Sequence, residues 1–293
     1  MSQVASQPMT AAELTEAVIA RFSDASDPRL REIMRSLVRH LHAFAAEVRL
    51  TQAEWLAGIR FLTATGHKCD DKRQQFILLS DTLGLSMLVD LMEHQADGGA
   101  TESTVLGPFY LPGSPERAYG ASIAERPSGE PAWVAGRALD TDGRPIAGAA
   151  VDVWQNGDDM LYAVQDPRAP ETNLRGLFRI TGDGHYAFLG VRPTDYPVPD
   201  DGPVGGMLRA AGRHPWRAAH LHFIVRAPGF QPVTTHVFDD RSRYLDSDTV
   251  FGVKPSLVRH FERHDPGADD PPQGVLPDQA WYSLTFDFVL QRA

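Results

Sequence analysis

An α+β fold, with a helical N-terminal region followed by a β-rich remainder, is what the sequence predicts on three observations. Apolar residues recur at three- and four-residue steps from residue 10 to about 97. From about residue 98 Gly and Pro become frequent, and short strand-like runs separated by turn chemistry replace the helical period. The 293 residues, 42% of them hydrophobic, can bury a sizeable core divided between two regions, taken here as residues 1–100 and 101–293.

The helices follow from their start signals and stripes. Thr10-Ala-Ala-Glu13 and Thr51-Gln-Ala-Glu54 have capping-box spacing, in which each end residue satisfies a free amide of the first turn. Between them Asp27-Pro28 opens a helix whose Leu30, Ile33, Met34, Leu37, Val38, Leu41, Phe44, Ala45 and Val48 form one apolar stripe, with Arg31, Arg35, Arg39 and Glu47 off it. The helix begun at Thr51 carries Trp55, Leu56, Ile59 and Leu62 and ends near Gly66. Asp70 or Asp71 is the expected cap of a last segment, Phe76 to Leu91, which is apolar on more than one side, should be buried, and is interrupted at Gly84.

Beyond the Gly/Pro-rich connection, strands are expected at Ala132–Leu139 and Ala149–Trp154, joined through the turn at 140–143. Leu177–Thr181 and His185–Val191 read as a hairpin about Gly182-Asp183-Gly184. Ala219–Ala227, Pro232–Phe238 and Trp281–Leu290 supply later strands. Many short strands with irregular connections point to a sandwich or barrel rather than a parallel α/β sheet.

A formal net charge of −10 argues against nucleic acid and for a small-molecule partner. Cys69, the single cysteine, excludes an intramolecular disulfide framework and reads as a buried thiol in a reducing cytoplasm. No apolar run reaches the ~18 residues of a membrane span, and Met1–Gln7 lacks the basic and apolar parts of a secretion signal.

The chemistry concentrates at His220-Leu221-His222. In a strand the two imidazoles project from one face while Leu221 and Phe223 enter the other, which makes a bidentate metal grip on a rigid element. A half-exposed strand with two histidines is the plainer alternative. A zinc site would recruit His214 as a third nitrogen and keep a water for hydrolysis. A cupin-like site needs a nearby glutamate, and the fourth residue after His222 is Arg226. The third candidate adds Tyr162 and Tyr196, whose rings would ordinarily be structural. As phenolates they are hard anionic donors suited to trivalent iron, whose charge would depress their pKa.

Leu106-Gly107-Pro108-Phe109-Tyr110, Asp152-Val153-Trp154-Gln155, Leu174-Arg175-Gly176, the Tyr196 loop and the run from His214 to Phe223 resemble the intradiol ring-cleaving dioxygenases of the catechol and hydroxyquinol group. The resemblance implies a helical dimerisation region before a β-sandwich catalytic domain, a homodimer formed through the helices, and phospholipid between them. It also implies a non-haem Fe³⁺ held by Tyr162, Tyr196, His220 and His222, with Tyr196 and His222 axial. On that reading a substrate with adjacent hydroxyls displaces Tyr196, which helps take up substrate protons, and both atoms of O₂ enter the product. Arg217, three residues before His220, is then the fixed charge favouring negative charge on the ring; its alternative is an ordinary salt-bridged arginine.

Catechol enzymes of the group carry Thr-Thr-Gln where this chain reads Thr234-Thr235-His236, and the segment Arg243–Lys254 is also more similar to the hydroxyquinol members. Hydroxyquinol is therefore the expected substrate, with catechol or chlorocatechol the close alternative. A non-catalytic sandwich domain binding a small hydrophobic ligand is the reading from a different class. A third ring hydroxyl needs a polar partner once buried, and Asp81, in an otherwise apolar stretch, is the candidate. By resemblance Leu78, Val105, Leu106, Gly107, Phe109, Val198, Pro199 and Val250 line the pocket, with His236 beside them.

Overall fold

The computed structural model describes residues 9–94, 99–126, 129–267 and 269–293. The expectations at Met1–Gln7, Gly98 and Pro127 lie outside them. The described chain forms two compact units that divide between Thr63 and Ala64.

The first unit holds α1 (Ala11–Arg21), α2 (Pro28–Glu47) and most of α3 (Gln52–His67). Both capping boxes form: Thr10 N donates to Glu13 Oε2 at 2.7 Å and Glu13 N to Thr10 Oγ1 at 3.2 Å, and Thr51 and Glu54 repeat the exchange at 2.8 and 3.3 Å. Asp27 Oδ1 accepts from Arg29 N at 2.8 Å, with Pro28 opening α2. The α2 stripe forms as expected but only Val38 is buried; Leu30, Ile33, Leu37, Leu41, Phe44 and Val48 remain exposed.

In the second unit α4 (Gln75–Thr82) and α5 (Leu85–Glu93) are separated by Gly84, whose φ of +74° reverses the chain locally. Their expected burial is corrected: Leu78 and Met87 are buried, whereas Phe76, Ile77, Leu83, Leu85, Leu88 and Leu91 are exposed. Two short helices bent by 76° each press only one stripe onto the domain. The capping expectation is corrected too. Asp70 accepts from the amides of Lys72 and Arg73, closing the turn before α4, and Gln74 at the helix start makes no side-chain cap. Cys69 is half-buried, its Sγ donating to Thr65 O at 3.5 Å.

Among the described residues thirteen strands follow: β1 (Glu116–Arg117), β2 (Pro131–Asp140), β3 (Ala150–Trp154), β4 (Arg175–Arg179), β5 (His185–Val191), β6 (Tyr196–Pro197), β7 (Trp216–Arg217), β8 (His220–Arg226), β9 (Val233–Asp239), β10 (Val258–Arg259), β11 (Glu262–His264), β12 (Trp281–Thr285) and β13 (Phe288–Leu290). Helix α6 (Pro203–Ala210) lies between β6 and β7 in sequence. One sheet runs β1-β4-β3-β8-β9-β10; the other runs β11-β12-β2-β13 with β5 on β2. Side chains of both sheets, among them Val134, Phe188, Leu284, Val151, Leu221 and Phe223, share one buried apolar cluster. This is the sandwich arrangement, one layer of side chains deep.

The expected β4–β5 hairpin does not form. Strand β4 pairs with β3, Leu177 opposite Asp152, while β5 pairs with β2, Phe188 opposite Val134. The turn at 181–184 carries the chain between sheets, and its Gly-Asp-Gly chemistry suits either route. The long run at 281–290 is two strands broken at Phe286-Asp287. There Phe286 N donates to Ala135 O at 2.9 Å, and Asp287 accepts from Arg137 N at 2.8 Å. A Cβ at Gly136 would stand 1.8 Å from Phe286 O, so this approach requires glycine.

Candidate metal centre

Strand β8 lies between β3 and β9, with His222 opposite both Trp154 and His236. Alternation sends Leu221, Phe223 and Val225 into the core and places His220 and His222 on the other face. The Tyr196 loop is tied to the start of β8 by Asp195, whose Oδ1 accepts from Ala219 N at 2.9 Å. Pairing of β6 with β7 then sets Tyr196 opposite Arg217. Tyr162 stands on the segment after β3, where Met160 adopts a φ of +64° and Tyr162 N donates to Gln165 Oε1 at 3.1 Å.

These elements bring four donor atoms into one buried cluster. Tyr162 Oη lies 2.9 Å from His222 Nε2, and the Nε2 atoms of His222 and His220 are 3.0 Å apart. Arg217 Nη1 is 3.2 Å from both Tyr196 Oη and His220 Nε2. His220 Nδ1 donates to Ala218 O at 2.6 Å, which leaves its Nε2 lone pair directed inward. His222 stacks on Trp154, ring centroids 4.6 Å apart, and Tyr162 stacks on Phe109 at 4.8 Å. The expected ligands therefore sit on rigid, packed supports.

Burial sets the protonation. It lowers the pKa of His220 well below the usual imidazole value, reinforced by the Arg217 charge; His222 is lowered likewise, by burial and then by His220. Both imidazoles are neutral and ready to donate a lone pair. Burial also raises the Tyr162 and Tyr196 phenols, with Arg217 opposing the shift at each. A cation placed among the four atoms would reverse the phenol shifts.

Arg217 is buried and forms an ion pair with Asp248, Nε to Oδ1 at 3.2 Å. Burial alone would lower its pKa, but Asp248 and the two phenols outweigh that and hold it above its ordinary value. His236, expected in the substrate pocket, packs against the histidine pair, its centroid 4.5 Å from His220 and 4.2 Å from His222. Both its ring nitrogens are buried without a hydrogen bond of good geometry; burial lowers its pKa well below the ordinary value, and an interaction with the Val105 backbone works in the other direction. One ring nitrogen from each of His220, His222 and His236 lies within 4.8 Å of the other two. His214 does not join them: its Nδ1 accepts from Trp216 N at 3.2 Å and its ring lies against Tyr244, so the third ring nitrogen beside the pair comes from His236 and not from the expected His214.

The expected pocket residues divide between two cavities flanking Gly107–Phe109. Leu78, Phe109 and Pro199 line one of about 480 Å³, and Asp81, Val105, Leu106 and Gly107 line one of about 650 Å³. Val198 and Val250 are buried and line neither, and Leu106 is the most exposed of the set. Gly107 has a φ of +76°, and a Cβ there would stand 3.4 Å from His222 Cε1. Asp81 is buried; burial raises its pKa, against a hydrogen bond from Ser86 and the charge of Arg217. Asp248 was not among the expected site residues, although it lies in the segment Arg243–Lys254 that resembles the hydroxyquinol members. Trp154, on which His222 stacks, lay in a resembling motif with no expected role of its own.

Residues 27–101 match the family model described as the catechol dioxygenase N terminus, and residues 105–292 the one described as dioxygenase. The chain belongs to the intradiol dioxygenases. This dioxygenase is 52% identical to a 6-chlorohydroxyquinol 1,2-dioxygenase of Cupriavidus pinatubonensis, over 94% of this chain and 96% of that one. It is 50% identical to a hydroxyquinol 1,2-dioxygenase of Nocardioides simplex, over 96% and 95%. The crystal structure of hydroxyquinol 1,2-dioxygenase from Pseudomonas putida DLL-E4 superposes with a TM-score of 0.88 at 49% identity, covering 97% of this chain and 99% of that one. Membership implies a non-haem iron centre, and two phenols with two neutral imidazoles, all buried and converging, are a donor set that fits it.

Proposed function

We propose that this dioxygenase cleaves hydroxyquinol, benzene-1,2,4-triol, between its adjacent hydroxyls with O₂, giving 3-hydroxy-cis,cis-muconate, the tautomer of maleylacetate. Both oxygen atoms enter the product, so the sum needs no other reductant. The observation that carries the reading is the buried convergence of Tyr162 Oη, His222 Nε2, His220 Nε2 and, through Arg217, Tyr196 Oη. These four residues are the ligands we assign to Fe³⁺. Ferric iron, when bound, draws electron density from the chelated diol and opens the ring to O₂.

The chain supplies the rest. Tyr196 would hold iron and, when not bound to it, would take a substrate proton on its Oη beside Arg217 Nη1. Arg217, fixed and fully buried, favours negative charge as it develops on the ring. Asp81 faces the third hydroxyl, with Val105, Leu106 and Gly107 on its side of the site and Leu78, Phe109 and Pro199 on the other, while the buried Val198, Val250 and His236 pack behind these walls. The relatives named for hydroxyquinols support that choice over catechol. Residues 1–100 serve as a helical dimerisation region and 101–293 as the catalytic domain, with phospholipid bound along the apolar helices, in a cytoplasmic enzyme.

The test is iron-supplemented purification followed by O₂ uptake. Coloured protein with about one iron per chain that consumes one O₂ per hydroxyquinol, much faster than with catechol, is expected. Tyr162→Phe should lose iron or colour together with activity. Colourless, iron-free wild type would overturn the reading, and equal efficiency on both diols would overturn the substrate assignment.

A further inference from the structure

The guanidinium of Arg217 has two edges. Nη1 faces the centre, 3.2 Å from Tyr196 Oη and His220 Nε2. Its other edge is occupied by Asp248, with Nε donating to Oδ1 at 3.2 Å and Nη2 to Oδ2 at 3.5 Å. Asp248 is in turn fixed by its own loop: Gly252 N donates to Oδ2 at 2.8 Å. A Cβ at Gly252 would stand 3.0 Å from Arg217 Nη2 and 3.2 Å from Asp248 Oδ2, so the backbone of the loop lies directly against the ion pair. Both partners of the pair are almost wholly buried, and neither has solvent to fall back on.

From this geometry we infer that Asp248, locked by the Gly252 amide, is a positioning residue that aims Arg217 Nη1 at Tyr196 and His220. The inference rests on the proposed ring cleavage, in which Arg217 acts on the substrate. A planar guanidinium gripped along one edge can present only the opposite corner, so the carboxylate decides where the charge stands. It also keeps Arg217 from taking Tyr196 as its sole counter-anion. Removing the carboxylate charge while keeping its shape frees the guanidinium to close on the phenolate oxygen. That stabilises the phenolate and moves its charge-transfer band to shorter wavelength. Tyr196 then yields more slowly to the incoming diol, and the charge is displaced from the ring.

The experiment compares wild type, Asp248→Asn, Asp248→Glu and Gly252→Ala as purified, iron-loaded full chains. Iron content, the visible spectrum, kcat and KM for hydroxyquinol are measured on each. Asp248→Asn should retain its iron, show a blue-shifted tyrosinate band and lose roughly a hundredfold in kcat, with KM changed by about threefold or less. Asp248→Glu should recover part of kcat and of the band position. Gly252→Ala, which leaves both charges in place but presses on the edge, should shift the same band and lower kcat by about tenfold. An iron-replete Asp248→Asn with wild-type spectrum and kcat would overturn the inference while leaving the ring cleavage standing. If Asp248→Asn does not fold, an unmoved band and kcat in Gly252→Ala would overturn it. Wild type that cleaves no ring overturns the underlying reading itself.

Discussion

Asp81 is the side chain proposed to select the substrate. It stands one residue before the end of α4, is buried, and hydrogen-bonds with Ser86 while the charges of Arg217 and Asp248 act on it. Burial raises its pKa, because the desolvated carboxyl has lost water as a hydrogen-bond donor, and a phenol O–H placed beside it would restore one. On the proposed reading a third ring hydroxyl would hydrogen-bond to this carboxyl, and a diol without it would bury the carboxyl without that bond. Such a mismatch costs about 1–3 kcal/mol. Asp81→Asn should therefore reduce the hydroxyquinol-to-catechol ratio of kcat/KM by about 10- to 100-fold, chiefly through hydroxyquinol. Steady-state O₂ uptake on both substrates checks it, and an unchanged ratio would remove Asp81 from the specificity argument.

Among the elements, the loops around the cavity are held by charge. Asp201, just before α6, takes Arg73 at the start of the α4 region and Lys68 at the end of α3. The Arg73 hydrogen bond, partly opposed by burial and helped by Lys68, holds the Asp201 carboxyl well below the usual carboxylate range. A folded-state pKa below the unfolded one contributes stability that is present above about pH 4 and is lost as pH falls through the folded value. Because the carboxylate is 59% exposed, solvent screening limits the pair to about 1 kcal/mol or less. Asp201→Asn should lower the thermal midpoint by about 1–3 °C at pH 7 and low salt. The gap from wild type should begin to narrow below about pH 4, closing only as pH approaches the folded value, and should shrink in 1 M salt; a gap independent of pH would assign it to packing instead. The same scale shows what was legible in the sequence. Capping boxes, the α2 stripe and the face of β8 are local patterns, and each formed where expected. The β4–β5 pairing failed because strand partners are chosen by distant segments, while the turn at 181–184 carries no record of that choice. Tyr162 and Tyr196 were reached through resemblance rather than period, and Asp248 lay inside the resembling segment Arg243–Lys254 with nothing local to show that it pairs with Arg217, 31 residues away.

For the whole molecule, the unexplained feature is apolar surface. Leu30, Ile33, Leu37, Leu41, Phe44 and Val48 of α2 are 46–55% exposed in the single chain, a continuous row that water-facing helices do not carry. Fully burying such a side chain contributes about 1.5–3 kcal/mol, so covering the exposed half of each residue would contribute roughly 1 kcal/mol apiece. Repeated from both copies across a twofold, that gain suits an obligate homodimer, whose interfaces typically bury about 2,000 Å² or more. The proposed dimer uses this row. Introducing Leu37→Glu and Leu41→Glu together places two carboxylates per chain at its centre, where each would be desolvated opposite its symmetry mate on a chain already carrying a net charge of −10. Sedimentation at micromolar concentration should then give a dimer for wild type and a monomer for the double variant, with the loss of association steepest at low salt. If both sediment as dimers, the row is not the interface; if wild type is itself a monomer, the apolar face must be covered by something other than a second copy, with phospholipid the first candidate to extract and identify.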